Sequence, residues 1–467
     1  MSCLRIFSAA LVVAFVVSPN CSAQSPTEQF DILITGGDIV TVDGSRRILM
    51  GGSIGIRGDR IVRVTPAGQL RGRAKKTIDA RGKIILPGLV NAHAHAPMSL
   101  FRGVADDLAL MEWLQRVLFP AEARNVDADF VYWGTLLSAW EMLATGTTTF
   151  ADMYYFESDV ARAVEKAGIR AVLGETIIDF PAPDNKTVAA ALAYTEEFLK
   201  KWKGHPLVTP AVAPHAPFTC SKETLLQSKQ LADRYGAPVI IHVAETEDEV
   251  RQVLEKTGLR PLAYLEKIGF LDDRVVINHG VWLNEAEIAI LARRRVGVSH
   301  NPESNMKLAS GAAPVAELLA AGVDLGLGTD GAASNNNQDM FEAMGAMALL
   351  SKLTRRDPTA ANAEQVLYAA TMGGARALNM ADQIGSIEEG KKADLVLVDA
   401  KRPAALPLFN PVSQLVYSIR GGDVSSVFVN GRVVYENGKL TLVSIDEIRA
   451  KANEYRDKIR KSLATIR

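Results

Sequence analysis

Between residues 87 and 330 the chain repeats one rhythm: a short apolar run, then a helical stretch. Eight runs stand out: PGLVNAHAH, GTTTFADM, IRAVLGETI, VTPAVAPH, PVIIHVAE, RVVINHG, VGVSHN and DLGLGTD. Such alternation is the mark of βαβ units and a parallel sheet. Eight units spread over about 300 residues suit an α/β chain folded as a TIM-like (β/α)8 barrel, whose usual size is roughly 250 residues before insertions. A doubly wound open sheet is the alternative, but no glycine-rich nucleotide fingerprint follows the first run. Thr246 and Glu249 have the spacing of a capping box at one helix start, and Asn284 and Glu287 resemble another.

The flanks read differently. From Phe30 to Leu86, DILITGGDIVTVD, SIGIRGDRIVRV and KKTIDARGKIILPG alternate apolar and polar residues between glycine turns, which predicts antiparallel strands. The same style returns in KADLVLVDA and VSSVFVNGRVVYENGKL, where Asn430-Gly431 between apolar runs signals a hairpin. Both ends are expected to meet in one small β-sandwich. The resulting organisation is a leader over 1–23, sandwich parts at 28–86 and 385–442, the barrel at 87–384, and a closing helix within 443–467.

The polar residues fall where the strands end. Of 7 histidines, His93 and His95 close the first run, His215 the fourth, His242 the fifth, His279 the sixth and His300 the seventh; only His205 lies elsewhere. Asp152, Glu175 and Asp330 lie at the ends of the second, third and eighth runs. All C-terminal strand ends of a barrel converge on one face, where its active site forms. Residues two apart on a strand share a face, so His93 and His95 can both point at one spot. With His242 and Asp330 they make a nitrogen-and-oxygen site suited to Zn2+ or Fe2+, with a position left for water. Any one of these histidines alone reads best as a satisfied core residue; the whole set does not. Glu245, three after His242, suits a proton donor beside the metal, although a helix N-terminal carboxylate is the plainer reading. His279 suits a group that orients water or polarises substrate. His300 reads as a residue that holds its loop through polar contacts.

Taken together, HAH after PGLVN, HVAET, NHG, SHNPESNMKLASG and LGTDGAASNN resemble the amidohydrolase superfamily. Within it the chain is similar to the branch of S-adenosylhomocysteine and 5'-methylthioadenosine deaminases and triazine hydrolases, from about Phe30 to about Lys439. HxH alone is a weak signal; the ordered set is strong. The resemblance implies one metal, zinc before iron, held by His93, His95, His242 and Asp330. It also implies substrate contacts from Glu122, His215, Glu245 and Asp330, with Glu245, His279 and Asp330 as the catalytic groups. Without it, Glu122 in VLFPAE would read as a solvated helix-end carboxylate. Members with two metals carry a modified lysine at the end of the fourth strand; this chain has APHAP there, which favours one metal. Glu175 stands where S-adenosylhomocysteine deaminases tend to place an arginine for the amino-acid carboxylate, which points to an uncharged substrate.

The implied activity is hydrolytic deamination of a purine nucleoside or related N-heterocycle, with release of ammonia. A triazine-type chlorohydrolase or aminohydrolase is the alternative, followed by an exported two-metal, peptidase-like amidohydrolase. A catalytically dead scaffold should lack ligands, and none is missing. A formal net charge of -1 argues for no nucleic-acid or membrane partner; a small heterocyclic substrate fits, and assembly into a homo-oligomer is compatible with the composition. At the start, Arg5, the apolar run Ile6 to Val17 and Cys21-Ser22-Ala23 have the layout of a signal peptide cleaved after Ala23. Export to the periplasm or medium is the expectation. Ser18-Pro19-Asn20 is a poor approach to a lipidated Cys21; a short uncleaved anchor is the other reading. Cleavage removes Cys3 and Cys21 and leaves Cys220 alone, so no internal disulfide is expected.

Overall fold

A computed structural model describes residues 9–10 and 28–464. The leader expected over 1–23 falls, but for those two residues, outside them. The chain opens with β1 (Gln29–Val40), β2 (Ile48–Arg57), β3 (Arg60–Thr65), β4 (Arg73–Asp79) and β5 (Lys83–Pro87). The eight apolar runs then become β6 (Leu89–Ala94), β7 (Thr147–Tyr154), β8 (Arg170–Ile177), β9 (Val208–Pro214), β10 (Val239–Val243), β11 (Val275–His279), β12 (Gly297–His300) and β13 (Leu325–Leu327). After the last barrel helices come β14 (Leu395–Asp399), β15 (Val424–Val429), β16 (Arg432–Glu436) and β17 (Lys439–Leu440), and a helix over Ile445–Leu463.

β6 to β13 close into a barrel of parallel strands, with β13 returning to β6 through Leu327 opposite Asn91. Side chains fill the interior, as in such barrels generally. Val90, Ala151, Val172, Ala211, Ala213, Ile240 and Val276 form one buried cluster there. Alternate residues of the same strands turn outward to the helices, so one register decides which polar residues reach the lumen.

The other strands make a nine-stranded sheet in the order β17-β16-β15-β14-β5-β1-β2-β3, with β4 also on β1. It is mixed, not wholly antiparallel. The stretch KKTIDARGKIILPG is not one strand: it breaks at Gly82, whose φ is 76°, and both halves run parallel to β1. β4 lies beside Gln29–Thr35 and β5 beside Asp38 and Ile39. The two chain ends join where β5 pairs antiparallel with β14. The β15–β16 hairpin turns at Asn430 and Gly431, with φ of 48° and 71°, the double positive φ of a type I′ turn. A Cβ on Gly431 would meet the Gly58 carbonyl oxygen at 2.2 Å, so this position requires glycine. Arg170, at the start of β8, donates to the Asp394 carboxylate at 3.0 and 3.3 Å, a buried ion pair that ties barrel to sheet.

The helix cap at Asn284 is a full capping box with Glu287. The one expected at Thr246 is only half formed. Thr246 accepts from the Glu249 backbone N–H at 3.2 Å, but the Glu249 carboxylate turns instead to the N–H groups of Ala244 and Glu245, at 3.0 and 2.7 Å. Ala244 has a φ of 54°, a turn that leaves those donors pointing at Glu249. Cys220 is buried and free, its thiol pushed up to about 11 by burial. Among the described residues no helix is long and apolar enough to cross a membrane.

Candidate active site

The strand ends deliver their polar side chains to one rim. His93 on β6 and His95 just past its end place their ring centroids 4.8 Å apart, and His93 lies 5.0 Å from His242 and 5.5 Å from His279. The Nε2 atoms of His93 and His95 each lie 3.3 Å from Asp330 Oδ1. Ligand-type atoms within 4.8 Å of one another form two groups that share His93: one with His95 and Asp330, the other with His242 and His279. His279 therefore sits as close to the centre as the four expected ligands.

Backbone and side-chain partners fix how the rings face. His95 Nδ1 is 2.6 Å from the Met153 carbonyl oxygen, and His242 Nδ1 is 2.9 Å from that of His215. A carbonyl only accepts, so each Nδ1 carries the proton and each Nε2 presents a lone pair to the centre, an arrangement common around metal-binding histidines. Burial, against the pull of Asp330, pushes His93 down to about 3. Burial and the neighbouring histidines likewise hold His242 well below the usual range. Both are thus neutral, the form that ligates. Although burial opposes it, Asp330 raises His95 to about 9. The two shifts differ in sign because Asp152 and the Met153 carbonyl also favour the charged form of His95, whereas His95 and His279 oppose that of His93.

A metal fits this donor set. His93 is fully buried and neither of its ring nitrogens has a hydrogen-bond partner, a costly state for a polar ring unless something ligates it. Two neutral imidazoles, a third in His95 that gives up its proton to a bound cation, and a carboxylate are the ligands of a borderline divalent cation.

The backbone is strained here. Ala244, His279 and Asp330 all have left-handed φ, at 54°, 70° and 62°. Each such residue costs about 1–2 kcal/mol and persists only where its surroundings over-determine it. Asp330 is held by its N–H to the His93 carbonyl at 2.9 Å, and its Oδ2 accepts from Ser304 and Ser334 at 2.6 and 2.9 Å. His279 Nδ1 donates to Asn305 Oδ1 at 2.9 Å. Its Nε2 faces Glu245 Oε2 at 3.7 Å. Burial raises the Glu245 carboxyl and so favours its protonated form.

A cleft opens above this cluster. His215, Glu245, His279 and Asp330 form its floor, and Glu122 stands to one side. Glu122 is buried, not solvated; it accepts from the Tyr154 hydroxyl at 2.6 Å, and burial raises it to about 7. Leu110, Trp113, Leu114, Leu118 and Phe119 line the outer wall, with Phe218 and Leu308 opposite. Among the described residues, none that lines the cleft is a lysine or arginine.

Two expectations fail here. Glu175 does not face substrate. Thr176 lines the cleft, so by alternation Glu175 turns outward, where it accepts from the Glu157 N–H at 3.0 Å and from Asn185 Nδ2 at 3.2 Å. Its burial, beside Asp184, raises its carboxyl well above the usual range. It is a structural acid behind the wall and repels nothing in the cleft. His300 does not hold its loop: it is buried with neither ring nitrogen hydrogen-bonded, and burial lowers it to about 3. The loop after β12 is instead anchored through Ser304 and Asn305, which the residue pattern did not single out.

Residues 84–434 match the model of the amidohydrolase family. The chain belongs to the amidohydrolase family. A 5-methylthioadenosine/S-adenosylhomocysteine deaminase of Syntrophobacter fumaroxidans is 49% identical over 420 residues, spanning 90% of this chain and 96% of that one. Among solved amidohydrolase structures, an adenosine deaminase from Xanthomonas campestris with bound zinc superposes with a TM-score of 0.92 at 40% identity, covering 93% of this chain and all (100%) of that one. The zinc complex of atrazine chlorohydrolase from Arthrobacter aurescens superposes at 0.85 with 26% identity, over 91% and 100%. This family membership and the donor set together make the protein a divalent-metal hydrolase acting on carbon–nitrogen bonds other than peptides.

Proposed function

We propose that the protein hydrolytically deaminates an adenosine-type nucleoside, and that a single zinc ion serves it. The carrying observation is the meeting of a buried histidine–aspartate cluster with the buried Glu245 carboxyl in one cleft. His93, His95, His242 and Asp330 would hold the ion. When bound, a divalent ion supplies Lewis acidity that brings the pKa of water down to about 7. Asp330 takes the proton of the attacking water, and His279, with its Nε2 lone pair toward the cleft, orients that water. Glu245 gives its proton to the ring nitrogen next to the amine-bearing carbon, so no bare anion forms. As the water oxygen bonds to that carbon, the amine takes the proton held by Asp330 and leaves as ammonia, and the hydroxyl left on the ring returns a proton to Glu245 as the carbonyl forms. Glu122 accepts hydrogen bonds from sugar hydroxyls, and His215 contacts the substrate beside it.

The relatives' names support this reading, and the 40% identity to an adenosine deaminase favours it over triazine chemistry at 26%. The expectation of an uncharged substrate moves from Glu175 to the apolar outer wall. We propose a nucleoside whose 5′ group is neutral and apolar, because a zwitterionic tail would lose its water there without a cation to meet its carboxylate. The test is ammonia release by the zinc-loaded protein from adenosine, 5′-methylthioadenosine, S-adenosylhomocysteine and atrazine, with chloride followed for the last. The methylthio compound should be preferred. Faster turnover of S-adenosylhomocysteine would refute the tail assignment, and turnover of atrazine alone would refute the deaminase.

The leader layout around Arg5, Ile6 to Val17 and Ala23 supports a second proposal, that the enzyme is exported and cleaved after Ala23. It would then act on external nucleosides. Amino-terminal sequencing of the mature protein should begin at Gln24; a protein that starts at residue 1 or 2 would sink the idea.

A further inference from the structure

β12 lies between β11 and β13 in the barrel. The short helix Pro302–Lys307 that follows β12 therefore sits between the ends of its two neighbours. β11 ends in His279, and Asp330 follows β13. Successive residues on a helix point about 100° apart, so two adjacent side chains can reach opposite neighbours. Ser304 donates to Asp330 Oδ2 at 2.6 Å, and Asn305 Oδ1 accepts from His279 Nδ1 at 2.9 Å. Both residues are fully buried.

We propose that Ser304 and Asn305 are a positioning pair that sets Asp330 and His279 as one unit. This rests on the deaminase reading, in which those two groups flank the attacking water. The pair decides which atom each presents. Ser304, with Ser334, occupies Asp330 Oδ2 and leaves Oδ1 facing His93 and His95. Asn305 takes the Nδ1 proton of His279 and leaves Nε2 facing Glu245 and the cleft, with His93 and His242 on its other sides. Because both contacts come from consecutive residues of one helix, the separation of Asp330 and His279 is fixed by a peptide unit, not by two independent loops. Outside contacts pin that helix. Lys307 reaches Asp106 and Asn336 at 2.5 and 2.6 Å. The left-handed backbone at His279 and Asp330 is the state these contacts hold in place.

The test compares zinc-loaded wild type with Asn305→Ala, Asn305→Asp and Ser304→Ala, using the nucleoside that the wild type deaminates fastest. Asn305→Ala should keep its metal and its melting transition, and lose about tenfold or more in kcat while KM stays within about twofold. In 15N-histidine spectra, which need no substrate, His279 should show a protonated Nδ1 in the wild type and lose that signature in Asn305→Ala. Asn305→Asp keeps an acceptor for the Nδ1 proton, so it should regain much of kcat and keep the 15N signature. Ser304→Ala should lower kcat several-fold in the same way. Wild-type kcat with an unchanged 15N signature in Asn305→Ala would overturn the pair, as would a loss lying wholly in KM or metal content. If Asn305→Ala does not fold, loss of the protonated Nδ1 signature in Asn305→Asp, which keeps the acceptor, overturns it. Wild type that releases no ammonia from any nucleoside overturns the deaminase reading instead, and the 15N arm still reports on the contact.

Discussion

The floor and the outer wall of the cleft are built on opposite plans. On the floor four groups are each held by a hydrogen-bonded partner: His95 by Met153, His242 by His215, His279 by Asn305, Asp330 by two serines. The wall comes from one broken helical stretch, Leu110–Trp113, a π-turn over Leu114–Leu118, and Phe119–Asn125. Its polar tie to the barrel at the cleft is the Tyr154–Glu122 hydrogen bond. A π-turn widens a helix locally and recurs at functional sites. The contrast teaches that chemistry is placed by hydrogen-bonded pairs on rigid strand ends, whereas substrate choice is left to apolar contacts that tolerate change.

The sharpest break should come on the floor. His93→Ala should lose metal and activity together, as metal analysis beside an ammonia assay would show; stoichiometric metal in that variant would remove His93 from the ligand set. Next comes Glu245→Gln, expected to lower kcat by about 10²–10⁴-fold, the usual contribution of a positioned proton donor, with metal retained. Full activity in it would shift the proton to another group.

Changes in the wall should act on KM. Above about pH 7, where Glu122 ionises, Glu122→Gln gives up a charge-assisted hydrogen bond, worth about 1.5–3 kcal/mol, so KM there should rise about ten- to a hundredfold with kcat less affected. The same variant probes stability. Burial holds the folded Glu122 carboxyl protonated up to about 7, against an ordinary value of 4.5. The unfolded chain then binds fewer protons between those values, and stability falls as pH rises through them, by up to about 3 kcal/mol. Melting curves of wild type and Glu122→Gln should diverge between pH 5 and pH 8, in favour of the variant at the higher pH. Parallel curves would place the carboxyl in a wetter setting. Smallest of all, Phe218→Ala should raise KM for a nucleoside with an apolar 5′ group by roughly five- to thirtyfold, the worth of about 1–2 kcal/mol, and leave adenosine itself nearly unchanged.

The barrel was legible because its eight runs carry both the strand period and the polar ends that a barrel gathers on one rim. Strand alternation was enough to put His93 and His95 on one face. Glu175 was read from its match to a family position near a strand end, but whether that residue or its neighbour faces inward depends on register, and it is Thr176 that lines the cleft. The parallel placement of β4 and β5 was hidden because a parallel and an antiparallel edge strand carry the same pattern of residues. Glu249 looked like half of a capping box, since nothing in the sequence says that Ala244 is left-handed and offers better donors. The wall was unreadable on its own, because Leu110, Trp113 and Leu118 look like core residues until the cleft beside them is seen. Ser304 and Asn305 carry no signal of their own, because serine and asparagine after a strand read as ordinary turn residues until the helix Pro302–Lys307 is seen between the ends of β11 and β13.

The sheet that joins the chain's two ends has a consequence for how the protein is made. β5 finds its partner in β14, on the far side of the whole barrel in sequence. During synthesis the early strands leave the ribosome long before that partner exists, so one edge of β5 stays open while the barrel is still being assembled. An unpaired edge invites other chains. The last step of folding is therefore a zipper closed by the final strands, and chaperone demand should concentrate on chains stalled before residue 395.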